Sequence, residues 1–280
     1  MSSQINEKIR VGIFGASGYG GSELLRILLF HPDAEIVFAT ANEHAGKLVS
    51  DVHKNLLGIT DLRFESLSED IEAIDNIDLA LFALPHGQAM SLAPRLSDSI
   101  RVVDLSGDFR LDDSEEFSAF YGFEQTESDY QTQFVYGLSE SNREQVSTAN
   151  YVANPGCFAT ATSLALAPLV KARILNGKVI VDAKTGSSGS GIKPASNTHH
   201  PQRMNSFYAY KPFVHQHMPE IRQHLRSLGD FDGDFVFMTH SLPLSRGIFA
   251  SCYLETENVH SAGELDELFR TYYSDSFFVR

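Results

Sequence analysis

Ile9-Arg10-Val11-Gly12-Ile13-Phe14-Gly15-Ala16-Ser17-Gly18-Tyr19-Gly20-Gly21 is the stretch on which the reading of the fold turns. Ile9–Phe14 is a short apolar run of the kind that forms a buried strand, and Gly20–Phe30 has a helical pattern closed by His31-Pro32. The glycines between them permit a tight turn and a close backbone approach. The N–H groups of the helix start then meet a pyrophosphate. A glycine motif alone is a weak signal; its place between a first strand and a first helix makes it a dinucleotide-binding signal.

Outward from that stretch the same alternation continues. Glu35–Thr40, Asp78–Leu84 and Arg101–Leu105 read as strands, and the segment from Pro85 to Leu96 as helical. Strands separated by crossover helices predict a doubly wound parallel sheet of the Rossmann type over residues 1–150. Asp112–Ser139 is polar and weakly periodic and reads as a connection. Beyond it, Cys157–Val170 and Met218–Leu228 read as helices. Lys178–Ala183, Asp234–Thr239 and Gly247–Glu255 read as strands, with a Gly/Ser-rich loop at Thr185–Gly191. Fewer helices between strands predict a mixed-sheet α/β domain over residues 151–280.

Composition narrows the function. A formal charge of −14 disfavours non-specific binding to nucleic acid or an anionic membrane. No apolar run reaches membrane-spanning length and the first ten residues lack a signal-peptide core, so the expected address is cytoplasmic. Two cysteines, Cys157 and Cys252, give neither a disulfide framework nor a thiolate zinc site, and no metal is expected.

Cys157 follows Asn154-Pro155-Gly156 at the start of a predicted helix, where backbone N–H groups stabilise a thiolate and the oxyanion it generates. Cys252, in the middle of an apolar strand, reads as core. A thiolate nucleophile calls for an acid–base partner, and His215 or His217, just ahead of Met218-Pro219-Glu220, is the expected source. His199 and His200 sit in a polar loop and read as solvated. Arg110, Lys184, Lys193, Arg203 and Arg246 are candidate anion contacts, each more commonly a surface charge; Arg110 stands out because Asp104–Arg110 follows a parallel strand. The loop after the second strand has no carboxylate at the strand end for a ribose hydroxyl and no arginine for a 2′-phosphate. Thr40, Asn42 and Lys47 are available, and NADP is preferred over NAD.

Together these segments resemble N-acetyl-γ-glutamyl-phosphate reductases of arginine biosynthesis, which are related to aspartate-semialdehyde dehydrogenase. The matching stretches are GASGYGGSELLRILLFHP from Gly15, DLSGDFRL from Asp104, YGLSESNREQ from Tyr136 and ANPGCFATA from Ala153. DAKTGSSGSG from Asp182, VHQHMPEI from Val214 and SLPLSRGI from Ser241 continue them in order. The resemblance implies that Cys157 is the nucleophile and His215 the acid–base residue. It places Arg110, Asn154, His217, Lys184 and Arg246 at the substrate. Gly15, Ser17, Gly18, Tyr19, Gly20, Thr40, Ser188 and Gly189 fall at the cofactor, NADPH. The implied reaction converts an acyl phosphate to an aldehyde through a Cys157 thioester. A free N-acetylated substrate is the first expectation, and an aminoadipyl or glutamyl phosphate on an acidic amino-group carrier protein the alternative. A free aspartyl phosphate and a non-catalytic dinucleotide sensor are the competing readings. A homodimer or homotetramer is implied. Val214 stands where the family usually has glycine, the loop after the second strand lacks a frequent Ser-Arg pair, and the family usually extends several dozen residues past Arg280.

Overall fold

The structure, a computed structural model, describes residues 7–67, 74, 76–259 and 261–280. The chain forms two compact units. The first runs to Asp112 and takes in Gln125–Val135 and Gln145–Asn154; the second comprises Asp113–Glu124, Tyr136–Glu144 and Pro155–Arg280. The units therefore alternate between residues 112 and 155, where the sequence suggests a single division at 150.

In chain order the elements begin β1 (Ile9–Phe14), α1 (Tyr19–Leu28), β2 (Ala34–Thr40), α2 (Val49–Val52), β3 (Phe64–Glu65), β4 (Leu79–Phe82) and α3 (Gln88–Leu92). They continue with β5 (Arg101–Asp104), α4 (Ser114–Tyr121), α5 (Ser128–Gln131), β6 (Val135–Tyr136), α6 (Ser139–Thr148) and β7 (Tyr151–Ala153). The remainder is α7 (Cys157–Lys171), β8 (Leu175–Thr185), α8 (His200–Arg203), β9 (Tyr208–Tyr210), α9 (His217–Leu228), β10 (Phe235–Ser241), β11 (Ile248–Thr256) and α10 (Ala262–Tyr272).

The first sheet has the order β3-β2-β1-β4-β5-β7-β6. The β1–β2, β1–β4, β2–β3, β4–β5 and β5–β7 pairs are all parallel. Strand order reverses beside β1, which puts the ligand crevice of a doubly wound sheet at the carboxyl ends of β1 and β4. Val11, Ile13, Leu25, Ala39 and Phe64 form the core that seats α1 on this sheet. The predicted helix at 85–96 is shorter than expected, because Gly87 takes φ +86° and α3 begins only after it. The carboxylate of Asp108 accepts the N–H groups of Gly87 and Met90 there, fixing that start.

The stretch 112–139, expected to be a connection, holds regular structure. Asp113 caps α4 by accepting the N–H groups of Glu115 and Glu116 at 2.8 and 2.9 Å.

The second unit's sheet has the order β11-β8-β10-β9 and is mixed: β8 and β10 are parallel, the outer pairs antiparallel. Val179, Val181, Ala183 and Phe237 bury one face with Phe158, Leu166, Ile221 and Leu225 of α7 and α9. Pro168 interrupts α7, and lacking an N–H it cannot donate to the Leu164 carbonyl one turn back. Tyr273 supplies the missing donor, its hydroxyl reaching Leu164 O at 2.6 Å.

Candidate active site

In the first unit the loop after β1 is held from behind. Gly15 N–H donates to Thr40 Oγ1 at 3.1 Å, Ala16 N–H to the Thr40 carbonyl at 2.8 Å, and His53 Nε2 to the Ala16 carbonyl at 2.8 Å. Gly15 has φ +81°, and a Cβ there would lie 2.7 Å from the Ala83 carbonyl. A Cβ at Gly21 would lie 2.4 Å from Ala16 Cα, so helix and loop touch backbone to backbone. At Gly18, the N-cap of α1, a Cβ would meet nothing within 4 Å, and no side chain caps the helix. An open glycine cradle with unsatisfied helix N–H groups behind it fits the pyrophosphate of a dinucleotide. Ser17, Gly18, Tyr19 and Gly20 would line it. Thr40 is buried with its hydroxyl already taken by Gly15, so it shapes the loop from within.

Arg110 is buried, not a surface charge. Its Nε donates to the Asn154 carbonyl at 2.8 Å and its Nη2 to the Leu105 carbonyl at 2.9 Å, tying the β5 loop to the end of β7. Asp104 is buried beside it and accepts the N–H and hydroxyl of Ser106; burial raises its pKa to about 7.

In the second unit Cys157 is the first residue of α7 and is exposed. Gly156 is the N-cap, and no side chain closes the helix end. Behind the turn stands Glu220, fully buried, whose Oε1 accepts the Gly156 N–H and the Tyr136 hydroxyl, both at 2.8 Å. The His217 ring fills the remaining space: a Cβ at Gly156 would lie 2.2 Å from His217 Nε2.

His215 lies 4.7 Å from the His217 ring and 5.2 Å, edge to face, from Phe158. It is buried, and burial, aided by Lys211, holds its pKa down to about 4. The His217 N–H donates to His215 Nδ1 at 3.1 Å, so the neutral imidazole carries its proton on Nε2. Tyr210 packs on the same ring at 5.9 Å. Its phenol is pushed up to about 12 by burial and then by the negative charge of Cys157. Arg203, also buried, acts on Tyr210 in the opposite sense and donates from Nη2 to the Leu242 carbonyl.

Among the described residues no group of three or more His, Cys, Asp or Glu is placed to hold a metal, and no helix is long and apolar enough to cross a membrane.

With this geometry in place, comparison with known proteins is informative. The model of the semialdehyde dehydrogenase NAD binding domain matches residues 10–149, and that of the semialdehyde dehydrogenase dimerisation domain matches 157–280. An N-acetyl-gamma-glutamyl-phosphate reductase of Marinobacter nauticus is 41% identical over 273 residues, 97% of this chain and 79% of that protein. The chain belongs to the N-acetyl-γ-glutamyl-phosphate reductase family. A Methanosarcina barkeri reductase of the same name is 42% identical over 97% of this chain. A [LysW]-L-2-aminoadipate/[LysW]-L-glutamate phosphate reductase of Saccharolobus solfataricus is 39% identical over 99% of this chain and 79% of its own length. Aspartate semialdehyde dehydrogenase II from Vibrio cholerae has the same fold, with a TM-score of 0.69 at 16% identity, covering 94% of this chain and 78% of that one.

The family's expected residues thus fall in two groups. Gly15, Ser17, Gly18, Tyr19, Gly20, Thr40, Arg110 and Asn154 belong to the first unit; Cys157, Lys184, Ser188, Gly189, His215, His217 and Arg246 belong to the second. Cys157, His215 and His217 come together. Lys184 is paired with Asp182 at 2.6 Å on the sheet face, and Arg246 is exposed on a loop whose backbone crosses Gly186. Ser188 and Gly189 lie in a single 3-10 turn, Ser187–Ser190. His199 and His200 are exposed, as a polar loop suggests. Cys252 lies in β11, where burial raises its thiol pKa to about 11. Glu220 and Tyr210 escape a reading by residue type. The only prior signal of Glu220 is its place in HMPEI, since the Gly156 turn it holds is 64 positions away.

Proposed function

We propose that this protein reduces N-acetyl-γ-glutamyl phosphate to N-acetylglutamate 5-semialdehyde, using NADPH and releasing phosphate. Exposed Cys157 at an uncapped helix start, with neutral His215 buried against the next residue, Phe158, is the observation that supports this reading most.

Cys157 attacks the acyl carbon as a thiolate, the C–S bond forms and inorganic phosphate leaves. The first-turn N–H groups of α7 favour the thiolate and offer donors to the oxyanion. His215 adds its Nε2–H as a donor. An imidazole with a pKa near 4 stays neutral at pH 7, so it stabilises oxyanions without itself being charged. The nicotinamide supplies the hydride when bound. Collapse of the resulting oxyanion breaks the C–S bond, frees the aldehyde and regenerates the thiolate without proton uptake. His217 and Glu220 fix the turn that aims Cys157. A reducing cytosol, which keeps such a thiol unoxidised, is the compartment this chemistry suits.

The second unit's outward sheet face supports association with a second copy, as a homodimer or a homotetramer. Ile180 sits opposite Tyr253 and Lys184 opposite Phe249, and all three apolar side chains are exposed. Light scattering that finds only monomer would count against this.

One observation favours the carrier-bound substrate as a second reading. Between Asp182 and Glu220 there is no acidic residue, while Lys184, Lys193, Arg203 and Lys211 and four histidines occur there. Of these, Lys193, His199, His200 and Lys211 are exposed, and in a chain of net charge −14 such an acid-free segment suits an acidic partner. The deciding assay follows NADP reduction in the phosphate-dependent reverse direction with free N-acetylglutamate semialdehyde, comparing wild type with Cys157→Ser. Turnover in wild type alone supports the free substrate. Turnover only with a carrier-linked semialdehyde supports the second reading, and turnover in the variant overturns the thioester route.

A further inference from the structure

In doubly wound dinucleotide folds the carboxyl end of the second strand distinguishes a ribose 2′-hydroxyl from a 2′-phosphate, using a carboxylate for the first and cations for the second. Here β2 ends at Thr40, whose hydroxyl is taken by Gly15 N–H, and Ala41 follows. The turn beyond it folds onto β3. Gly46 N–H donates to the Phe64 carbonyl at 2.7 Å, Phe64 N–H to the Lys47 carbonyl at 2.9 Å, and Leu48 bridges Arg63. This pairing brings in an arginine that the local sequence does not contain. Arg63 Nη1 donates to the Gly46 carbonyl at 2.8 Å, and the adjacent Lys47 extends its Nζ to 3.4 Å from His44 Nδ1. Lys47 and Arg63 are exposed, and among the described residues neither has a carboxylate partner. Two exposed cations brought to one turn of a strongly acidic chain offer a place for an anion.

We propose that Lys47 and Arg63, with His44 bracing Lys47, bind the 2′-phosphate of the dinucleotide and so select NADP(H) over NAD(H). The proposal rests on the first unit's being the dinucleotide-binding one. A phosphate dianion matches the remaining guanidinium N–H groups and the ammonium of this pair. Glu43 and Glu65 lie on the same segments and are the residues that would serve a bare ribose instead.

The test is calorimetric titration of the full-length protein with NADP, NAD, 2′,5′-ADP and 5′-AMP. Wild type should bind 2′,5′-ADP at least roughly 10-fold more tightly than 5′-AMP, with the gap narrowing as salt rises. Lys47→Ala and Arg63→Ala should each weaken 2′,5′-ADP by about 10-fold and leave 5′-AMP unchanged, while Lys47→Arg retains the preference. Thermal melts identify any variant that has lost its fold. Equal wild-type affinity for the two probes overturns the site, as does a parallel loss of both probes in folded variants. So does a change of preference on Glu65→Gln alone. If wild type binds neither NADP nor NAD, the dinucleotide reading falls and the proposal with it.

Discussion

Helices α1 and α7 start alike and are put to different uses. Each has a glycine N-cap, Gly18 or Gly156, with no side-chain cap and no acidic residue in the first turn. Each therefore presents bare N–H groups and the positive end of a helix dipole. They differ in what stands at the glycine. Space is open around Gly18, whereas the His217 ring and the Glu220 carboxylate close on Gly156. An open start leaves room for a phosphate to arrive, and a closed one holds in place a group already attached to the chain. On the proposed function, the same backbone electrostatics would serve a ligand in one unit and a nucleophile in the other.

Four experiments sharpen or break this contrast. The largest effect is expected from Cys157→Ser, which should reduce turnover at least roughly a thousandfold while leaving NADP affinity intact, measured by stopped-flow absorbance and titration. Equal loss in both readouts would mean the two helix starts are not separate devices.

Adding a methyl group to each glycine comes next. Gly156→Ala must displace the boxed His217 ring, and kcat should drop by about 100-fold, the usual cost of misplacing a reacting group by an ångström. Gly18→Ala meets no neighbour, so its effect should be a severalfold rise in the NADP dissociation constant with kcat and Tm nearly unchanged. Matching kcat losses in the two variants would remove the distinction.

Glu220→Ala strands the Gly156 N–H and the Tyr136 hydroxyl, about 1–3 kcal/mol for each buried donor in a denaturant melt. Glu220→Gln keeps an acceptor and should recover most of the stability and part of kcat.

The smallest effects are on pH dependence, and they run in opposite senses in the two units. His215 and His224 titrate near 4 in the fold, both chiefly through burial, against 6.5 when unfolded. The unfolded chain binds more protons between those values. The second unit's stability is therefore full above 6.5 and lost as pH falls toward 4, by up to about 1.4 kcal/mol per pH unit per histidine. Asp104 works the other way: it is raised to about 7 from 3.8, so its contribution is present below 3.8 and lost as pH rises through 7. Calorimetry from pH 4 to 8 should find that His224→Phe flattens the acid side and Asp104→Asn the neutral side. No change from either would show that these groups do not set the profile.

How much of this was legible in the sequence depended on the range of the interactions. Sequence and structure agree on the bounds of β1 and the start of α7, because apolar periodicity and Gly/Pro punctuation are local. β3 and β7, of two and three residues, are too short to show a period, and their strand character comes from neighbours already in the sheet. The catalytic candidates Cys157 and His215, with His217 beside them, stand out in the sequence by residue type and position. Bonds to remote partners are not legible there: Arg110 to the Asn154 carbonyl within the first unit, and Arg203 to the Leu242 carbonyl and Gly156 to Glu220 within the second. Arg63 is the same case on the cofactor side, invisible from the β2 loop until β3 pairs with it.

The bond from Tyr273 to the Leu164 carbonyl also bears on the order in which this protein is made. The two residues are 109 positions apart, so the helix that begins at Cys157 leaves the ribosome with a gap opposite Pro168 and waits for α10 to emerge before that gap is closed. Cys157, the proposed nucleophile, is synthesised well before the residue that completes its helix. The helix that opens with Cys157 therefore has its Leu164 carbonyl satisfied in this way only once the chain as far as Tyr273 is in place.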